Sequence, residues 1–184
     1  MEDCIPEMNR VAITGIGIYS CIGKNLEEVN KSLQEGKSGI VLDPALKEWG
    51  YRSGLTGFIE EPVLKGVLHR KSRVGLSEEA AYAYVSTVEA LENAELTEEY
   101  IGENEVGIIF GNDSSAKAVM EAVDIIREKK DTTLVGSGSI FKSMNSTVTM
   151  NLSTIFKLRG INFTISAACA SGSHSIGMRS EGRL

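Results

Sequence analysis

Between residues 161 and 172 the sequence reads INFTISAACASG, and this stretch restricts the possible folds more than any other. Ile161, Phe163 and Ile165 alternate with Asn162 and Thr164, which is the pattern of a strand. Every residue from Ser166 to Gly172 is small, so the chain can leave that strand in a sharp turn and enter a helix near Ser171. A strand that turns directly into a helix is the unit from which layered α/β folds are built.

The rest of the chain repeats the alternation. Arg10 to Ile18 starts as a β-branched run broken by Gly15 and Gly17, and reads as a buried strand leaving through a glycine turn. Asn25 is placed to cap a helix bearing Leu26, Val29 and Leu33, with Glu28 at the capping-box position and Gly36 at its end. Lys37 to Arg73, with Gly50, Gly54, Gly57, Gly66 and two prolines, is irregular and demands no regular helix. Ser77 to Asn93 reads as a strong helix with acids in its first turn, and Val106 to Phe110 as a short buried strand. Ser114 to Lys130 reads as an amphipathic helix with Val119, Val123 and Ile126 on one side. Asn145 to Lys157 is a further helix, closed by Gly160. The expected fold class is therefore α/β with a mainly parallel sheet.

The chain has 184 residues, the size of one domain or of one lobe, and long enough for a core of its own. A net charge of −6 leaves no broad basic face for nucleic acid. No apolar run reaches the ~18 residues that would suggest a membrane span. Residues 1–9 carry Glu2, Asp3 and Glu7 and read as a short tail, not a signal peptide. Cys4, Cys21 and Cys169 are too few and too scattered for a disulfide framework or a zinc site, so a cytoplasmic protein without bound metal is expected. Gly15 and Gly17 suggest a dinucleotide fingerprint, but Ser20 takes the third glycine's place. Ile40 and Val41 stand where an acid for the ribose would be wanted, so no nucleotide cofactor is expected.

Cys169 is the residue with chemical promise. A thiol acts as a nucleophile in its thiolate form, which a helix N-terminus favours, and backbone N–H groups at such a turn can stabilise a thioester oxyanion. The same residue could equally be a small buried cysteine of no chemical consequence. His174 lies five positions on, about 140° around a helix from Cys169, which puts it off the cysteine's face and suits a hydrogen-bonded residue packed inside. His69 stands in a polar loop with no evident partner.

The segment TISAACASGSHSIG, Thr164 to Gly177, resembles the active-site motif of the elongating β-ketoacyl-(acyl carrier protein) synthases. RVAITGIGIYSCIGKN, EGKSGI from Glu35 to Ile40, Val106 to Gly111, and Phe156-Lys157 with Gly160 resemble other segments of that family in the same order. The resemblance implies a thiolase-like fold represented by its N-terminal βαβαβ half, with layered α/β/α packing, over an incomplete domain spanning residues 10–184. It implies that Cys169 accepts an acyl group, and that malonyl carrier protein then loses carbon dioxide and condenses with it. It also implies acyl carrier protein as partner and no cofactor. In the family two histidines and a lysine further along serve the second half-reaction, and neither His69 nor His174 can be assigned to them. The tail from Met178 to Leu184 departs from the family's apolar helix. By this reading the chain is an inactive fragment of an acyltransferase of fatty acid or polyketide synthesis. The alternative is a non-catalytic partner or fragment that keeps only dimer and carrier-protein contacts.

Other residues acquire expected roles from the same resemblance. Arg70, Lys71 and Arg73 form a basic cluster in an acidic protein, either a solvated loop or a dock for the acidic carrier protein. Phe141 and Met144 match a segment lining the acyl pocket, or else pack in an ordinary core. Phe110, Gly111 and Asn112 follow a strand end near that pocket. The strand Ile161 to Ile165 is expected to pair with its twin across a two-fold axis, making a homodimer.

Overall fold

A computed structural model describes residues 10–180. The expected tail, residues 1–9, and the last residues of the C-terminal departure lie outside the described residues. In chain order the elements are α1 (Leu26–Gln34), β1 (Ile40–Leu42), α2 (Pro44–Glu48), β2 (Leu55–Gly57), α3 (Arg70–Gly75) and α4 (Glu78–Asn93). There follow α5 (Glu98–Glu103), β3 (Ile108–Gly111), α6 (Ala116–Lys129), α7 (Ser139–Lys142), α8 (Thr147–Ile155) and β4 (Asn162–Ile165). A 3-10 turn (Ala168–Ala170) then leads into α9 (Ser171–Ser180). None of the helices among the described residues is long and apolar enough to cross a membrane. Two compact units divide the chain: residues 14–63 with 82–96, and the described residues of 1–13, 64–81 and 97–184.

In the first of these, α1 starts where the sequence places it. The Asn25 side chain accepts from the Glu28 N–H at 2.8 Å, while the Glu28 carboxylate accepts from the Lys24 N–H at 2.8 Å. Gly36 (φ +64°) supplies the left-handed residue that ends the helix. The expected opening strand is absent: Arg10 to Ile18 forms no ladder among the described residues. A strand needs a hydrogen-bonded neighbour, and here the N–H groups of Ile16 and Ile18 donate instead to the Asn93 and Glu89 side chains of α4, at 3.0 and 2.8 Å. Glu89 also accepts from the Leu26 N–H at 2.6 Å, so one carboxylate ties this segment and the first turn of α1 to α4. Tyr19 stacks on Tyr82 with ring centroids 5.7 Å apart. The irregular stretch contains an antiparallel pair, Ile40↔Gly57 through Leu42↔Leu55, which forms a two-stranded sheet of its own where the sequence gives no strand.

The second unit carries the parallel pairing. β3 and β4 run side by side from Ile108↔Asn162 to Gly111↔Ile165, and the Ile108 N–H extends the ladder to Ile161 O at 2.6 Å. Helices cover both faces, as the layered reading requires. Asn162 donates to Ser153 Oγ of α8 at 2.9 Å, and the Thr164 and Thr149 hydroxyls lie 2.7 Å apart, so α8 packs on the polar face of β4. Gly111 and its neighbour Ile165 face the opposite way, toward the start of α9. Val148 and Leu152 of α8 are fully buried, and Thr147 bonds Ser77 Oγ at 3.4 Å in the same interior.

The core is thinner than the chain length allows. Helix α6, expected to bury Val119, Val123 and Ile126, buries no residue at all, and Val63 and Ile13 stand open to solvent. Helix α5, capped by the Thr97 side chain, forms in a stretch to which the sequence pattern assigns no element.

Candidate active site

The strand–turn–helix junction forms as the small residues demand. After β4 the chain passes Ser166 and Ala167 and takes a left-handed step at Ala168 (φ +46°). It then makes the 3-10 turn that holds Cys169 and enters α9. Ser171 fastens this turn: its Oγ accepts from the Ala167 N–H at 2.8 Å and donates to Ala168 O at 2.7 Å. Gly111 lets the end of β3 press against the first residues of α9. A Cβ there would stand 2.4 Å from the Ser171 carbonyl carbon and 2.6 Å from Gly172 N.

Cys169 is exposed, which removes the reading of an inert buried thiol. The oxyanion expectation narrows. The N–H groups of Ala167, Ala168 and Ala170 are taken by Ser171 Oγ, Asp113 and Ala167 O. Cys169's own N–H has no acceptor among the described residues.

A polar network surrounds the turn; the sequence puts Asn112 near the pocket, at the end of a strand, but gives Asp113, Asn145 and the Ser166 hydroxyl no role of their own there. Asp113 Oδ1 accepts from the Ser166 hydroxyl and from the Ala168 N–H, both at 2.8 Å. The Ser166 hydroxyl, with help from the Ala168 N–H, holds the Asp113 carboxyl below the usual carboxylate range. Asn145 donates to Ser166 Oγ at 3.2 Å, and Asn112 donates to Asn145 O at 2.8 Å. The available signal was the run Asn112-Asp113-Ser114-Ser115 directly after a strand, because side chains at the carboxyl ends of parallel strands line the sites of α/β proteins.

The other expected residues fall in two places. Phe110 and Gly111 lie on β3, whose end meets the Cys169 helix, and Met144 precedes Asn145 and is 40% exposed. Phe141 is 45% exposed and lines a cleft of about 340 Å³ between α3, α7 and α8. Lys71 lines the same cleft, which joins an expected pocket residue to an expected docking residue. Arg70 and Lys71 are exposed at the start of α3, whereas Arg73 turns inward and donates from Nε to Leu68 O at 3.2 Å. Both histidine expectations are corrected. His69 has a partner, since its Nδ1 accepts from the Lys71 N–H at 3.3 Å and caps α3. His174 is exposed, because α9 presents that side to solvent and not to the lobe's interior.

A turn between a parallel strand and a helix that carries an exposed cysteine, with layers on both sheet faces, defines an α/β protein that presents a thiol. The chain belongs to the β-ketoacyl synthase family: residues 8–181 match its N-terminal domain. It is 39% identical over 171 residues to 3-oxoacyl-[acyl-carrier-protein] synthase 1 of Haemophilus influenzae, covering 92% of this chain and 42% of that protein. Identity to the Escherichia coli K12 protein of the same name is 38% over 172 residues, with the same two coverages. A solved β-ketoacyl synthase from Burkholderia phymatum superimposes with a TM-score of 0.80 at 26% identity, covering 95% of this chain and 43% of that one. The fold is also that of the ishigamide ketosynthase/chain length factor, with a TM-score of 0.83 at 18% identity and coverages of 96% and 45%. The chain thus spans about two fifths of the length of the curated relatives it matches.

Proposed function

We propose that the protein is a 3-oxoacyl-(acyl carrier protein) synthase in which Cys169 is the acyl acceptor. The observation that carries this is the exposed thiol on the turn between β4 and α9, beside an N–H without an acceptor among the described residues. The Cys169 sulfur attacks the carbonyl carbon of an acyl thioester, a new C–S bond forms, and the carrier thiol leaves with a proton. The Cys169 N–H is placed to donate to the oxyanion formed in that step. In the second half-reaction a malonyl thioester loses carbon dioxide, and the electron pair of the broken C–C bond attacks the acyl-Cys carbonyl and expels the thiolate. The chain's two histidines are not assigned to that half, so the condensation belongs to the whole protein and not to these residues alone.

The names of the curated relatives support acyl carrier protein as partner, and Arg70 and Lys71, exposed at the start of α3, suit its acidic surface. Phe141, Met144 and Phe110 are proposed to line the acyl path. A homodimer through β4 and a cytoplasmic setting complete the reading. Phe163 is 48% exposed, and β4 pairs only with β3 among the described residues, which leaves its other edge open.

The test is incubation of the whole protein with an acyl thioester followed by peptide mapping. The adduct is expected on the peptide containing Cys169, not on those of Cys4 or Cys21, and Cys169→Ala should abolish it. A protein that stays unlabelled is a non-catalytic partner, and the reading fails.

A further inference from the structure

The geometry points to Asp113 as a positioning residue for Cys169: its carboxylate oxygen holds Ala168 in the left-handed conformation that presents the thiol. This rests on the reading of Cys169 as nucleophile and adds the group that fixes its geometry.

The residue immediately before the nucleophile carries a Cβ and yet sits at φ +46°, a region that alanine avoids and glycine enters freely. Something must hold it there. Ser171 secures the neighbouring peptide groups through Ala167 N and Ala168 O. The Ala168 N–H itself goes to Asp113 Oδ1 at 2.8 Å, and the same oxygen takes the Ser166 hydroxyl at 2.8 Å. A single acceptor atom therefore grips the chain on both sides of Ala167, at the point where β4 must become α9.

Asp113 is itself well placed to act as an anchor. It directly follows Asn112, whose N–H continues the β3–β4 ladder to Ile165 O at 3.0 Å and whose side chain reaches Asn145 O at 2.8 Å. Asp113 is exposed, so its replacement removes a grip on the turn without opening a cavity in the core.

Because both bonds end on one oxygen, an amide oxygen in the same place can accept both, whereas a methyl group can accept neither. In the whole protein, the saturating rate of Cys169 acylation by an acyl thioester should fall about tenfold in Asp113→Ala, the factor in population that an unsupported left-handed alanine loses. The thioester concentration for half-saturation should not change. Asp113→Asn should restore the rate to within about twofold of the parent. In an Ala168→Gly background, where the left-handed step carries no penalty, Asp113→Ala should have little further effect, and this double-mutant comparison separates positioning from general loss of structure. Wild-type acylation in Asp113→Ala, an Asn variant no better than Ala, or an undiminished effect in the glycine background would each overturn the proposal. If the parent takes no acyl group at Cys169, the nucleophile reading falls on its own. The same variants compared by iodoacetamide alkylation of Cys169 then still decide whether Asp113 sets the thiol's presentation.

Discussion

Adding one methyl group at Gly111 should cripple the site from beneath. The Cβ of Gly111→Ala would lie 2.4 Å from the Ser171 carbonyl carbon, 2.5 Å from its oxygen and 2.6 Å from Gly172 N, where ordinary contact begins at 3.4 Å. All three are backbone atoms, so no side chain can rotate away, and β3 must part from α9 by about 1 Å. Overpacking of this kind costs about 1–3 kcal/mol, and the upper end applies because neither backbone is free to yield. With a urea m-value of about 2 kcal/mol/M, the midpoint should drop by roughly 1.5 M at unchanged m. Since Ser171 and Gly172 directly follow the turn that holds Cys169, the proposed nucleophile moves with them, and a displacement of about 1 Å at a reacting group can reduce a rate by ~100-fold. Gly102→Ala is the matched control: its Cβ meets nothing within 4 Å, it lies in α5, and the substitution should leave stability equal or raised by up to about 1 kcal/mol. A Gly111→Ala protein that unfolds at the parent midpoint and acylates at the parent rate would show that the close approach of β3 to α9 is unimportant.

Three further outcomes are expected. Glu89→Ala should lower the urea midpoint by an amount equivalent to about 2–4 kcal/mol, because it strips a charged acceptor from the N–H groups of both Ile18 and Leu26; a loss below about 0.5 kcal/mol would refute this role. The lowered Asp113 pKa makes its contribution to stability complete above the usual carboxylate range and lost as pH falls through that range toward the folded value. The stability difference between parent and Asp113→Asn should therefore be largest at neutral pH and shrink below about pH 4, and a difference independent of pH would contradict the linkage. Phe163→Asp, at the exposed face of β4, should give monomer or aggregate by light scattering together with loss of Cys169 acylation, and a fully acylated dimer would refute the pairing.

Local chemistry wrote several of these elements directly into the sequence. Asn25, Glu28 and Gly36 bound α1 through bonds to their own neighbours, and small residues alone make the turn at Cys169 possible. Position along the chain was enough to put Cys169 at a strand–helix junction, and the order of the motifs was enough to identify the family. What the sequence left undetermined depends on contacts between distant residues. Whether RVAITGIGI becomes a strand depends on a neighbouring strand, and in its place the side chains of Glu89 and Asn93 take its N–H groups. Alternation in β4 was visible, but only the packing decided that α8 would cover the polar face of Asn162 and Thr164 while Phe163 stayed exposed. Asp113 looks like an ordinary loop acid in the sequence. It gains its role because the ladder from Ile108↔Asn162 to Gly111↔Ile165 brings the ends of β3 and β4 together, so that Asp113 Oδ1 and Ser166 Oγ, 53 residues apart in sequence, lie 2.8 Å apart in space. A hydrogen bond is decided by that spatial distance, which periodicity and composition do not encode.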